Sequence, residues 1–467
     1  MKRALIFFGV ILLASAAWTP IAKAATEAQK LAAIQGGLAH LDYIQCKTAG
    51  STFGSWSSSG CGGSYRDAYT GMSIFAFLAR VSDWPAAKTA TYQADIDNGM
   101  VYLLTNASTA SVSTNTDGVN ICPGGSGSCT AIYWNVSGEP TYATGFVAQA
   151  IGAYALTKGA SAVAITSGPL AGLTWVQVAQ GITNAYAAAQ QGSNSNAIYD
   201  GGWRYSIPST YTQADMSTTQ WGAIASGYGE SVGAVTPAYV KTHLKTYLAN
   251  SIINSSGAAC YTPGTGSCSI GPTYGENGGW LVSNSYAGQA ANAGVVGFMN
   301  TSWKTAASSY SGNFGHPYGM WASYKGVGSY YGLADTAHIT NRLTDCGVAA
   351  GNGPGVTSQS GGVCSWWEDY NEWLVNGTAT YPATVPNTQI ATDGGGNKYW
   401  TGYSSWSDPL STAVDVSILA AAVLPTTITQ PPPTTVPVLS AVGIGVLALL
   451  LALGGFMAMK TRRAHSS

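Results

Sequence analysis

Ten residues have the types and placing to do chemistry: Asp67, Tyr69, Tyr142, Asp215, Gln220, Trp221, Tyr286, His316, Trp321 and Asp408. Each falls near the start of a stretch that reads as an apolar returning helix. Brought to one mouth of a helical bundle they would form a ligand pocket. Aromatic faces would stack on sugar or apolar surfaces, and carboxylates would orient the ligand or act as acid and base. The same residues also have structural uses. Asp67, Asp215 and Asp408 suit helix capping, worth about 1 kcal/mol each, and the tyrosines suit a packed wall. Asp67 and Asp215 can form the carboxylate pair a polysaccharide hydrolase or lyase needs, but their separation is not readable from sequence. No cofactor and no metal site is assigned.

The elements that must position these residues recur along the chain. One unit is repeated: an amphipathic helix, a loop with Gly and Trp, and a second, more apolar helix. The clearest copy runs from Trp175 to Gln191, with Val178, Ile182, Ala185, Tyr186 and Ala189 on one face. It continues through Asp200-Gly201-Gly202-Trp203-Arg204-Tyr205 to a helix starting at Asp215 or Ser217, both natural caps. A first copy pairs 32–45 with 67–76 around Trp56, and a second pairs 92–104 with a return from Glu139. A fourth runs over 237–252, passes Gly278-Gly279-Trp280 as its loop and returns near Tyr286. A fifth pairs 302–310 with 317–330, and a sixth pairs 366–374 with 408–424, passing Trp400. Trp56, Trp203, Trp280 and Trp400 are expected to staple repeats together rather than to touch ligand. Six copies give twelve helices, which suggests an all-α domain, an α/α toroid of about six helix pairs with long stapled loops; an open solenoid is the alternative.

Gln191 followed by Gly201-Gly202-Trp203, and Asp215-x-Ser217-Thr218-Thr219-Gln220-Trp221 after it, resemble the repeats of the terpenoid cyclase and protein prenyltransferase superfamily. Leu410-Ser411-Thr412-Ala413 echoes them weakly. The resemblance covers about residues 27–424 and implies the toroid fold. The activities it brings to mind lack their motifs. The protonating Asp-x-Asp-Asp of class II cyclases has only Asp95-Ile96-Asp97-Asn98 as a counterpart, expected on an outer helix as solvated charge. The zinc-holding Asp, Cys and His of prenyltransferases have none among His40, His243, His316, His338 and His465, and Gly60-Cys61-Gly62-Gly63 is not a thioester motif.

Eight cysteines fall in four local pairs, Cys46 with Cys61, Cys122 with Cys129, Cys260 with Cys268 and Cys346 with Cys364. Four sequential disulfides are the natural reading in an exported chain, although eight cysteines allow about 105 pairings. Zinc is the competing use, but Cys-x-x-Cys is missing.

Export is expected from the N-terminus. Residues 1–24 carry Lys2 and Arg3, an apolar run from Ala4 to Ala17 and a small-residue site at Ala22-Lys23-Ala24, the pattern of a signal peptide. A permanent membrane helix is the alternative. The main domain spans 25–424. Residues 425–437 are a Pro/Thr linker, 438–459 an uncharged apolar stretch long enough to span a bilayer, and 460–467 a basic tail expected to stay cytoplasmic. A buried core helix is the other reading of 438–459.

The segment Val436-Pro437-Val438-Leu439-Ser440-Ala441-Val442-Gly443 resembles the IPTL-CTERM sorting domain, departing from it at Val438 and Val442. That resemblance implies signal peptidase and an exosortase-type protease as processing partners, and a body displayed outside the membrane or released to the surface. Charged residues make up 8% of the 467 and the net charge is −1, so nucleic acid is not an expected partner. The leading expectation is an exported, envelope-associated binder of an apolar or glycan ligand, without cyclase or prenyltransferase activity. The alternative is an extracytoplasmic enzyme of the same fold, glycan-cleaving or isoprenoid-active.

Overall fold

The computed structural model describes residues 25–422 apart from 126, 136–137, 195, 209–210, 254, 309–311, 344–363 and 377–386. The chain divides after Thr426, inside the stretch expected as a linker. The signal-like segment and the apolar C-terminal stretch lie outside the described residues. Among the described residues no helix is long and apolar enough to cross a membrane.

Twelve α-helices alternate in two roles among the described residues. The leading helices are α1 (Glu27–Ile44), α3 (Thr89–Thr105), α5 (Trp175–Ala189), α7 (Ala238–Asn250), α9 (Ala293–Thr301) and α11 (Trp366–Asn376). The returning helices are α2 (Arg66–Ala79), α4 (Pro140–Lys158), α6 (Met216–Ser231), α8 (Tyr274–Tyr286), α10 (Pro317–Tyr331) and α12 (Leu410–Leu419). Each returning helix packs on the next, from α2 through α4, α6, α8 and α10 to α12, and α12 packs back on α2. The returning helices are buried on almost every side. In α6, for instance, every residue from Met216 to Ser226 is buried. Such helices need small or apolar residues all round, which is the composition the sequence gives them.

Among the described residues four two-stranded antiparallel hairpins interrupt the helical pattern: β1 (Ser108–Val112) with β2 (Cys129–Tyr133), β3 (Thr262–Gly264) with β4 (Ser267–Ile270), β5 (Ile390–Thr392) with β6 (Lys398–Trp400), and β7 (Gly402–Tyr403) with β8 (Trp406–Ser407). Helical periodicity carries no sign of these hairpins. The disulfides Cys46–Cys61, Cys122–Cys129 and Cys260–Cys268 are formed as expected, with Cα separations of 4.8, 5.5 and 5.5 Å. Cys364 is also disulfide-bonded, and Cys346 lies outside the described residues.

The tryptophans staple repeats by one recurring pair of hydrogen bonds. The indole N–H of Trp56 donates to the Leu41 carbonyl at the end of α1, that of Trp134 to Leu103 in α3, and that of Trp203 to Tyr186 in α5. Trp280 does the same to Leu248 in α7, and Trp400 to Leu374 in α11. The backbone N–H of Trp56, Trp134, Trp203 and Trp400 donates in turn to Thr70, Thr144, Thr219 and Thr412, each in the returning helix of its own repeat. In the fourth repeat Ala259 N–H and Asn277 take these parts. One threonine or asparagine thus fixes where each of these returning helices begins relative to the staple.

Two expected boundaries are corrected. Gly278-Gly279-Trp280 is not a loop but the middle of α8. A side chain at Gly278 would come within 2.5 Å of the Ala322 backbone, so this glycine serves close approach of α8 to α10 rather than a turn. Gly201, by contrast, has φ +93° beside the His243 carbonyl and is a true turn residue. The leading helix of the fifth repeat lies at 293–301 rather than 302–310, started by Asn292, whose side chain accepts from Gly294 and Val295 N–H.

The first and last repeats are joined by a side-chain clasp. His40 of α1 lies 2.8 Å from Asp393 and 2.9 Å from Asp408, with its ring stacked on Tyr399 at 4.1 Å. Burial alone would lower the His40 pKa, but the two carboxylates outweigh it and hold it above the usual histidine value.

Candidate functional site

The first turns of the returning helices surround a cavity of about 590 Å³. Tyr65, Ala68 and Tyr69 come from the start of α2, Glu139, Tyr142 and Phe146 from α4, and Tyr205 and Ser217 from the approach to α6 and its first turn. Tyr261 and Ile270 of the β3–β4 region, Thr273 and Glu276 of α8, Tyr318 of α10, Ser405 and Trp406 of the β7–β8 hairpin and Leu410 of α12 complete it. Ala68, Tyr142, Ser217 and Leu410 each stand two residues before the threonine that receives the tryptophan N–H. The cavity is therefore a product of the repeat, not of one loop.

Its base is aromatic. Trp221 packs on Phe146 at 4.3 Å and on Trp406 at 6.5 Å, and Trp406 reaches Tyr318 at 5.2 Å. On one side Tyr142 stacks on Tyr205 at 6.0 Å with the planes 16° apart, and the Tyr205 and Tyr261 hydroxyls lie 2.8 Å apart. Burial pushes the hydroxyls of Tyr69, Tyr142, Tyr205, Tyr261 and Tyr318 above the ordinary phenol value, so all five are neutral. No lysine or arginine is among the described lining residues.

Two carboxyls line the cavity. Glu276 is buried at 3% exposure, and its Oε1 accepts from the Tyr318 hydroxyl at 3.1 Å. Tyr318 in turn accepts from Gln220 Nε2 at 2.9 Å, and Gln220 Oε1 accepts from the buried Lys325 at 3.4 Å. Among the described residues the second oxygen of Glu276, Oε2, has no partner. Burial pushes the Glu276 carboxyl up to about 8, so it is protonated at neutral pH. Glu139 is half-buried at the N-cap of α4 but makes no capping bond. Burial, and secondarily the negative charge of Asp215, raises it above the usual carboxylate value.

The ten sequence candidates have divided fates. Tyr69 and Tyr142 line the cavity, Gln220 orients Tyr318, and Trp221 lies under the aromatic base. Asp215 is a cap. Its Oδ1 accepts from Thr218 N–H at 2.8 Å and Ser217 Oγ at 2.5 Å, and its Oδ2 receives Arg204 Nη1 at 2.7 Å. Burial raises its pKa, against Ser217, Arg204 and Thr218, which lower it. Asp67 accepts from Tyr102 at 3.3 Å, while Asp408 accepts from Thr412 at 2.6 Å besides joining the His40 clasp; neither lines the cavity.

His316 packs its ring against Tyr403 at 5.3 Å, and Trp321 stacks on Tyr324 at 5.4 Å inside the helical core. Tyr286 stands at the far end of α8, donating to Glu230 at 2.8 Å, because α8 begins twelve residues earlier than its glycines imply. Asp95, expected to be solvated, is buried beside Lys47 and pushed up to about 6 by that burial. Glu139, Glu276, Tyr205, Tyr261 and Trp406 were not among the candidates.

Among the described residues one group, Asp117, Asp200 and His243, is close enough to hold a metal ion. Its carboxylates are engaged by the fold. Asp117 accepts from Ser193 and Asn194 N–H at 2.9 Å each, and Asp200 lies 2.5 Å from His243 Nδ1.

No family model, no curated protein and no solved structure matches this chain.

Proposed function

We propose that the chain is an exported α/α toroid whose cavity binds a neutral glycan, held at the cell envelope by its C-terminal segment or released from it by sorting. The observation that carries the glycan reading is the lining of the cavity. Flat aromatic faces stand beside neutral hydroxyls and a protonated carboxyl, and no cation lines it among the described residues. A sugar ring presents the same combination, with apolar C–H faces between hydroxyl edges. A purely apolar ligand would leave Thr273 Oγ1 and Glu276 Oε2, which have no partner among the described residues, unsatisfied at a cost of about 1–3 kcal/mol each. An anionic ligand would meet two carboxyls and no compensating charge.

The cyclic order of contacts among α2, α4, α6, α8, α10 and α12 supports the toroid, and with it the resemblance to terpenoid cyclase and prenyltransferase repeats. The disulfides support an oxidising compartment. The reading excludes cyclase and prenyltransferase chemistry, because the sequence lacks both motifs.

The test is calorimetric titration of the full-length chain in mild detergent with cellohexaose, xylohexaose, maltohexaose and chitohexaose, and with farnesol as an apolar control. Binding of at least one glycan, weakened about tenfold in Tyr205→Ala through loss of one stacking face, is expected. Binding of farnesol alone would refute the glycan reading.

A further inference from the structure

The Asp117, Asp200 and His243 group uses its carboxylates on the loop at 193–194 and on His243 itself. Lys325 is enclosed by Trp221 at 4.3 Å and Trp321 at 5.3 Å and does not line the cavity. The pair Glu139 and Glu276 goes further. Both line one cavity, and neither is used by the architecture in the way Asp215 is.

We propose that the cavity is a glycoside-hydrolysing site in which Glu276 is the general acid and Glu139 the base that activates water; the proposal rests on the glycan reading above. The bond that breaks joins the anomeric carbon to the leaving oxygen. Its electron pair stays on that oxygen, which takes the proton of Glu276. The water oxygen bonds to the anomeric carbon and gives one proton to Glu139. The sum is one water added across one glycosidic bond. Solvent then returns a proton to Glu276 and removes one from Glu139, so no other reactant is required.

Three observations support the roles. Glu276 is fixed through Oε1 by Tyr318, itself held by Gln220, while Oε2 is unpartnered, which is how a positioned acid with a transferable proton is arranged. Glu139 sits at an N-cap without capping, so its oxygens are not committed to the helix. The two residues stand in the first turn of α8 and at the N-cap of α4, and both line the one cavity of about 590 Å³. Burial, and secondarily the charge of Asp215, raises both carboxyls.

The experiment uses the full-length chain and the same four hexaoses labelled at the reducing end, with cleavage followed by chromatography and binding by calorimetry. Wild type is expected to cleave a glycan it binds. Glu276→Gln and Glu139→Gln are each expected to lose about a hundredfold or more in kcat while Kd stays within about threefold. Azide is expected to restore turnover to Glu139→Gln by replacing water as the nucleophile, but not to Glu276→Gln. Binding without cleavage by wild type would overturn this proposal and leave the binding reading intact. Cleavage undiminished in either variant would also overturn it. Failure to bind any probe would remove both readings. Should Glu276→Gln not fold, the half-buried Glu139→Gln carries the test through its azide rescue.

Discussion

The first turns of α6 and α8 hold a buried carboxylate each, and the two are used in opposite ways. Asp215 has both oxygens filled, by Ser217, Thr218 and Arg204. Glu276 has one oxygen held by Tyr318 and the other unpartnered, in the wall of a cavity. Burial raises the pKa of both. What separates them is satisfaction: a carboxylate with a full set of donors is architecture, and one with a vacant oxygen beside a cavity is available for a ligand.

The largest expected effect removes the satisfied partner. Asp215→Ala leaves Arg204 without its buried counter-charge and α6 without its cap, and is expected to destabilise the fold by about 3–5 kcal/mol in urea unfolding at pH 7. Glu276→Gln keeps the shape and the acceptor for Tyr318, and is expected to change stability at pH 5 by less than about 1 kcal/mol. Equal losses in the two variants would erase the distinction.

Next in size is the hairpin that carries Tyr261 and Ile270 to the cavity. Replacing Cys260 and Cys268 by alanine is expected to cost about 2–4 kcal/mol and to weaken glycan binding as well, since both lining residues flank the bridge. Opening Cys46–Cys61, which does not adjoin the cavity lining, is expected to cost stability of the same order with binding intact. The contrast separates a bridge that shapes the site from one that only staples.

The pH dependence sharpens the comparison further. The Glu276 pKa is raised from 4.5 to about 8 on folding. The native state therefore holds the proton more tightly, the stabilisation is complete below the unfolded value, and it is lost as pH rises from about 4.5 to about 8. The stability difference between wild type and Glu276→Gln should fall across that window and level off above it. His40, raised by its two carboxylate partners, has the same sign, but its contribution fades only as pH climbs past the ordinary histidine value. His40→Gln isolates it.

The smallest expected effect is on a staple. Trp203→Phe loses the indole N–H bond to Tyr186 but keeps most of the ring, and is expected to cost about 1–2 kcal/mol with no change in ligand affinity.

Much of the fold was legible because its parts are local. Asp215 caps where Asp-x-Ser-Thr said it would, Trp203 staples as Gly-Gly-Trp implied, and three disulfides close the loops their spacing brackets. The site was less legible for one physical reason. Gly278-Gly279-Trp280 copies the composition of Gly201-Gly202-Trp203, yet the first pair of glycines lets two helices touch and the second makes a turn. Composition does not separate those uses. Read as a loop, the segment pushed the start of α8 to Tyr286 and hid Glu276 before it. Registering the repeats on Thr70, Thr144, Thr219 and Thr412 places Asn277 at the same position, and Glu276 then falls in a first turn. Trp406 and Tyr261 were hidden differently, in short hairpins with no helical period.

The measurement that tests the central claim most directly is an infrared titration of the Glu276 carboxyl, taken as the difference between wild type and Glu276→Gln from pH 4 to 10. A protonated carboxyl band that persists at pH 7 and disappears with a midpoint near 8 is the expected result. A band already gone by pH 6 would make Glu276 an ordinary carboxylate, and would contradict both its role as a hydrogen-bond donor in the cavity and its role as an acid.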